Sequence, residues 1–431
     1  MALKLRVAVL ISALVLGPAA GALASATPAG IDIPYTLRTL DNGLTVVVHE
    51  DRKAPIVAVN VWYHVGSKNE VPGRTGFAHL FEHLMFQSSE NLKGEYLNTL
   101  QELGATDLNG TTFFDRTNYF QTVPKNTLET VLWLESDRMG HFKGAITQAI
   151  LDEQRGVVKN EKRQGQNQPY GRVFEQVLKQ LFPPDHPYSW ETIGSMADLD
   201  AATLDDVRQW FGTYYGPNNA VVVIAGDVDT EEAFAKARKY FGDIPPGPPV
   251  ARFEEWIPVH DRVRRQSMED RVAQSRLYLT WTGPRWGTRD AHHLELAAAV
   301  LAGGKNSRLY ERLVYREQIA SDVEFEALPL EIAGITYLQV SANPGVPLAR
   351  LEAVVNEELA RFRQDGPTAR ELERVKTQRR AAFLRGLEKV GGFSGKSGVL
   401  AENMVYGGSP DAWKTAYADA ESATRADLKA V

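Results

Sequence analysis

Apolar and polar positions along the 431-residue chain switch repeatedly between a two-residue and a 3.6-residue period. These are the signatures of half-buried strands and amphipathic helices. In the first half, Asn42-Gly43 precedes the β-branched run TVVVHE, which predicts a hairpin turn feeding a strand after a short polar leader. Residues 56–65 alternate as a second strand, 97–103 read as a helix, and 117–123 as a strand. Helices are predicted over 128–139, 150–164 and 204–214, the last with Thr203 as N-cap, followed by an apolar strand at 219–224 and a helix over 229–241.

Four prolines then crowd residues 242–255 (GDIPPGPPVARFEE), which suit neither a helix interior nor a central strand. This stretch is the predicted linker between a domain at 30–241 and a second at 256–431, in keeping with a chain too long for one core. Beyond it the order resembles the first half: a strand at 274–281, helices at 290–301 and 307–316, a strand at 335–340, and helices at 348–363 and 368–389. The parallel suggests duplication of one α+β unit, with only a weak residue-level repeat. ESATRADLKAV at the end parallels DLDAATLDDVRQW at 198–210, so the second copy is expected to stop short of the first.

Composition narrows the class. A formal charge of −6 offers no footprint for nucleic acid. Residues 1–26 carry Lys4 and Arg6, an apolar run from Val7 to Leu16, and Ala22-Leu23-Ala24, the pattern of a cleaved secretory signal. The mature chain is therefore expected to be secreted, periplasmic in a Gram-negative source, with no stable membrane insertion. Without cysteine, any metal site must be built from His, Asp and Glu.

The candidate chemistry lies in TGFAHLFEHLMFQ, residues 75–87. On a helix, His79 and His83 share a face, and Glu82 sits about one turn from His79. Phe77, Leu80, Phe81 and Leu84 occupy the opposite side as an anchor. The bland alternative is an amphipathic helix with two histidines on its wet face. A catalytic zinc needs a third protein ligand, and the predicted helix at 152–164 offers Glu153 and Glu161, eight apart on roughly one face.

The order H-x-x-E-H is inverted relative to H-E-x-x-H. With NGLTVVV, GFAHLFEHLMF, ATDLNGTTFFDRTNYF, VVKNEKR, QPYG, YGPNNAVVVIAGDV and GGKNSRLYERL, it makes the chain resemble the pitrilysin, insulin-degrading enzyme and mitochondrial processing peptidase family of inverzincin zinc peptidases, in a short bacterial form. The resemblance runs from about Pro34 to near the C-terminus. It implies an α+β fold of two homologous domains, each an antiparallel sheet with helices packed on one face. It further implies one Zn2+ per chain held by His79, His83 and Glu161, with Glu82 as general base activating a zinc-bound water. Asn109, Gly110, Thr111 and Thr112 match the segment that binds substrate as an added strand; on local pattern alone they read as a polar β-turn. The family's supporting glutamate, seven residues before the third ligand, is Gln154 here, with Glu153 adjacent. Either residue is a candidate for that role.

Active members also use an arginine and a tyrosine, seven apart, from a later domain. The matching stretch LVYREQIASDV places Val314 and Ser321 there. Arg308, Arg312, Tyr310 and Tyr315 lie nearby and read as packing or surface residues. The expectation is a metalloprotease acting on peptides, in a heterodimer or homodimer with a homologous subunit, the pair coming from the partner. The alternative is a non-catalytic structural or chaperone-like subunit. GGFSGKSG at 391–398 is one residue short of a phosphate-binding loop and reads as a flexible loop. The adjacent His292 and His293 diverge by about 100° on a helix and make a poor chelating pair. His141 and His186 are expected to be structural or exposed. Lys376, Arg379, Arg380 and Lys389 are expected to form a solvated helix face.

Overall fold

The computed structural model describes residues 31–431; the signal segment at 1–26 lies outside the described residues. Strands β1 (Thr36–Thr39), β2 (Thr45–Glu50) and β3 (Ile56–Tyr63) lead to helices α1 (Phe77–Leu84) and α2 (Tyr96–Glu102). Next come β4 (Thr106–Thr112), β5 (Thr117–Pro124), α3 (Leu128–Gly140), α4 (Gln148–Asn167), α5 (Val173–Leu181), α6 (Met196–Ala201), α7 (Leu204–Tyr214), β6 (Ala220–Gly226) and α8 (Thr230–Phe241). The six strands form one sheet in the order β1-β2-β6-β3-β5-β4.

The predicted polar leader is in fact strand β1, the partner of β2 across the Asn42-Gly43 turn. Pairing departs from the expected antiparallel pattern at one place, where β2 and β6 run parallel. Strand β6 and the Val46–Val48 centre of β2 read as unbroken apolar runs because both of their faces are covered. On one face Val46, Val59, Val61 and Ile224 pack against the helices of this half.

The second half contributes β7 (Arg276–Gly283), α9 (Arg289–Ala302), α10 (Arg308–Tyr310, continuing as a wider π turn over Glu311–Arg316), β8 (Ala320–Leu328) and β9 (Gly334–Ala342). Helices α11 (Leu348–Asp365), α12 (Ala369–Gly386), α13 (Lys396–Gly407), α14 (Ala412–Ser422) and α15 (Arg425–Ala430) follow. Its sheet is antiparallel and three-stranded, β7-β9-β8, with a core of Leu338, Val340, Leu351 and Val355. The other face of the first sheet is covered by this half: Leu400 and Ala401 of α13 and Trp413 and Tyr417 of α14 pack on Val47, Trp62 and Val223.

No regular element lies between Phe241 and Arg276. This connection runs well past the proline-rich 242–255, and it is pinned. Trp256 N–H donates to Ile332 O (3.1 Å), Arg264 Nη1 to Gln180 O (2.9 Å), and the Tyr170 hydroxyl to Gln274 O (2.7 Å). Among the described residues no helix is long and apolar enough to cross a membrane.

Candidate active site

Helix α1 forms because its apolar residues fall on one side. Phe77, Leu80, Phe81 and Leu84 are buried, and Phe81 lies 4.3 Å from the Tyr215 ring and 5.2 Å from Phe142. Its first turn is held by the buried Glu70, whose Oε1 accepts the Ala78 N–H (2.8 Å) and whose Oε2 accepts Trp190 Nε1–H (3.0 Å). Burial pushes the Glu70 carboxyl from 4.5 up to about 8, against the pull of these donors.

On the other side of α1, the His79 and His83 rings stand 4.8 Å apart, nearly perpendicular. Helix α4 packs against α1 and brings Glu161 to both imidazoles, its Oε2 3.7 Å from His79 Nε2 and 3.5 Å from His83 Nε2. These separations exceed a hydrogen bond but match the edge of a tetrahedral zinc shell, about 3.4 Å for metal–ligand bonds near 2 Å. All three ligand atoms lie within 4.8 Å of one another, the one such cluster among the described residues. Burial, then the neighbouring His83, lowers His79 to about 4, so its imidazole is neutral, the form that binds metal. The donor set fits zinc.

Glu82, 7% exposed, is the buried carboxylate beside this cluster. Burial raises it from 4.5 to about 7, opposed by a hydrogen bond from the Thr112 side chain and by the Arg116 charge. The four residues of H-x-x-E-H and Glu161 are therefore together in space.

Glu153 is not among them. It is exposed on α4, whereas Gln154 is buried on the face that carries Glu161. The neutral amide, rather than the adjacent carboxylate, faces inward. His79 Nδ1 is buried without a hydrogen-bond partner.

Asn109 to Thr112 lie not in a turn but on β4, the free edge of the first sheet. The register breaks between Thr106 and Asn109, with Asp107 at φ 49°. Gly110 is required by close approach, since a Cβ there would stand 2.6 Å from Phe86 Cζ. Arg116 was not singled out from sequence. It donates to Thr111 O (2.8 Å) and so fixes the edge strand from behind. Its signal was absent because the contact spans a bend between two strands, not a helical or strand period.

The second half adds no arginine–tyrosine pair at the expected positions. Val314 packs against the second core, and the Ser321 hydroxyl accepts from Gln274 Nε2 (2.9 Å). Arg308 is bound bidentately by Glu371, and Arg312 by Glu317 and Glu357. Tyr310 and the exposed Tyr315 pack on each other at 5.3 Å. The remaining histidines are structural or exposed. His186 is buried against Trp256 O (2.9 Å), His292 meets Asp419 (3.0 Å), and His141 is exposed.

Residues 45–187 match the sequence family described as "Insulinase (Peptidase family M16)", and residues 201–379 that described as "Peptidase M16 inactive domain". The chain is 30% identical to the zinc protease PqqE of Helicobacter pylori over 374 residues, covering 85% of this chain and 82% of that one. It is 24% identical to the uncharacterized zinc protease YmxG of Bacillus subtilis, covering 84% and 86%. Among solved structures, a protease from Helicobacter pylori superposes with a TM-score of 0.85 at 27% identity, covering 92% and 95%. A peptidase M16 inactive domain from Pseudomonas fluorescens gives 0.81 at 18% identity, covering 92% and 94%, a likeness of fold.

Proposed function

Because this chain belongs to the M16 family of peptidases, with relatives named zinc proteases, we propose that it is a zinc metalloendopeptidase cleaving peptides or unfolded segments. In this reading His79, His83 and Glu161 are the ligands and Glu82 is the general base. The observation that carries it is the convergence of three ligand atoms beside a buried carboxylate poised near pH 7. When bound there, zinc supplies Lewis-acid polarisation of the scissile carbonyl and eases the deprotonation of water. Glu82 takes up and returns the proton, with the Thr112 side chain and the Arg116 charge favouring its ionised form. The free edge of β4 offers backbone donors and acceptors to an extended peptide with little sequence demand.

The chain's own Val314 and Ser321 can neither clamp a substrate nor donate strongly to an oxyanion, so we assign the arginine–tyrosine pair to a homologous partner subunit in a heterodimer. The description "inactive domain" falls on residues 201–379, which include none of His79, Glu82, His83 and Glu161, and does not favour a non-catalytic chain. Residues 1–26 would direct export and be removed, leaving the mature chain in a periplasm if the source is Gram-negative.

The test is metal content of the purified mature chain, then hydrolysis of an unfolded polypeptide with and without a homologous subunit. One zinc per chain is expected, with cleavage lowered by about 10²–10⁴-fold in Glu82→Gln. A carefully prepared wild-type chain holding no zinc would overturn the reading.

A further inference from the structure

The glycine-rich stretch at 391–398 joins α12 to α13 and has no part in the zinc cluster, yet it is not a free loop. It lies flat on the face of the first sheet opposite α1. A Cβ on Gly391 would stand 2.0 Å from Thr122 Oγ1, one on Gly395 2.0 Å from Gly391 O, and one on Gly398 2.0 Å from Phe393 O. Only glycine permits these approaches. Lys396, which a phosphate loop would direct at its ligand, is instead tied to Asp51.

What this packing achieves is the placement of Phe393. Its ring stacks on Trp62 (6.2 Å) and leans on Phe120 (6.5 Å), and the Arg116 guanidinium lies 5.0 Å from its centre. It nevertheless remains 46% exposed, above β3 and the penultimate strand β5.

Strand register says which side chains of β4 lie on the Phe393 side of the sheet. Asn109 pairs with Phe120 and Thr111 with Asn118, so their side chains point to the Phe393 face. Gly110 pairs with Tyr119 and Thr112 with Thr117, and these point to α1 and Glu82. An extended peptide lying along β4, about 4.8 Å further out, would alternate in the same way. Every second side chain would then pass Asn109 and Thr111, which are too short to fill the space, and reach the open side of Phe393.

We propose that Phe393 is a specificity-determining residue, its exposed ring receiving a large apolar or aromatic side chain of a peptide laid along β4, on the face away from His79, His83 and Glu161. The inference rests on the peptidase reading for the position of the peptide. It is tested by fluorescence anisotropy on the zinc-loaded Glu82→Gln chain. The probes are extended peptides identical except for Phe, Ala or Asp scanned through successive positions.

Phe is expected to bind about tenfold tighter than Ala, at alternate positions only. That ratio should fall below about threefold in the Phe393→Ala and Phe393→Gln backgrounds. The second variant keeps most of the side-chain bulk against Trp62, should the first fail to fold. A ratio unchanged by folded variants, no preference in the parent, or a preference for Asp set by Arg116 would overturn the proposal. Wild-type cleavage is measured separately, with the homologous subunit present. Cleavage without the aromatic preference sinks the subsite and leaves the peptidase reading standing; preference without cleavage does the reverse.

Discussion

A carboxylate buried behind two imidazoles is costly to ionise, and Glu82 is held where that cost puts its pKa near 7 rather than 4.5. Replacing it with Gln keeps shape and the Thr112 contact while removing the proton acceptor. Hydrolysis is expected to fall by about 10²–10⁴-fold with zinc content unchanged. Loss of zinc along with activity would instead make Glu82 a ligand. Gln154 raises a second residue-scale expectation. It is buried on the Glu161 face of α4, and His79 Nδ1 lacks an acceptor. A carboxylate at this position raises the basicity of the ligand shell, so Gln154→Glu should tighten zinc about tenfold in a chelator competition. The sequence left the choice between Gln154 and Glu153 open, and the fold makes it by burying Gln154 and exposing Glu153. Seven residues on a helix return to within about 20° of the same direction, whereas eight miss by about 80°, so Glu153 and Glu161 share a face less closely than expected from the sequence. By contrast, nothing in the sequence marks Arg116 as the support of Thr111, because that contact depends on a bend joining two strands.

At the level of elements, α1 is short, and its entry is fixed by Glu70 rather than by a side-chain N-cap. The folded pKa of Glu70 is raised from 4.5 to about 8. The folded chain thus keeps a proton that the unfolded chain releases above pH 4.5. Its stabilising contribution is complete below pH 4.5 and is lost as pH rises toward 8. Urea unfolding of the chain should therefore weaken between those limits, and Glu70→Gln should flatten that part of the profile while loosening the Trp190 contact. Elements with strong local periods, such as β3, α3, α8 and α11, could be read directly. The edge strand β4 could not. DLNGTT carries turn residues and no alternation, since its outer edge faces solvent and its conformation comes from pairing with β5. Helix α13 was hidden for a related reason: its glycine-rich entry looks flexible until the sheet beneath it is known.

Across the whole molecule, division into two α+β halves could be read from element order, but their interlocking could not. Helices α13 and α14 close the first sheet, and a buried polar cluster joins the halves. Glu331 takes His64 Nε2 (2.7 Å) and Lys68, Lys68 also meets Asp115 (3.3 Å), and the Tyr188 hydroxyl donates to Asp115 (2.6 Å) and accepts from Ile332 N–H (3.0 Å). Glu331→Ala leaves Lys68 short of a counter-charge and should cost about 3 kcal/mol, read as a lower urea midpoint. The same rigidity bears on catalysis. With β7–β9 fixed against the first half, Ser321 cannot be exchanged for another group of this chain, and Arg308 and Arg312 stay bound to their glutamates. Missing oxyanion donors typically cost 10²–10³-fold in turnover. Adding a homologous subunit that carries the arginine and tyrosine should therefore raise kcat/KM for an unfolded peptide by about 100-fold or more. The gain should saturate at one partner per chain and vanish when the partner's arginine is replaced by Leu. Full activity from the chain alone, unaffected by such a subunit, would place oxyanion stabilisation within this chain after all, with Arg116 the first residue to replace.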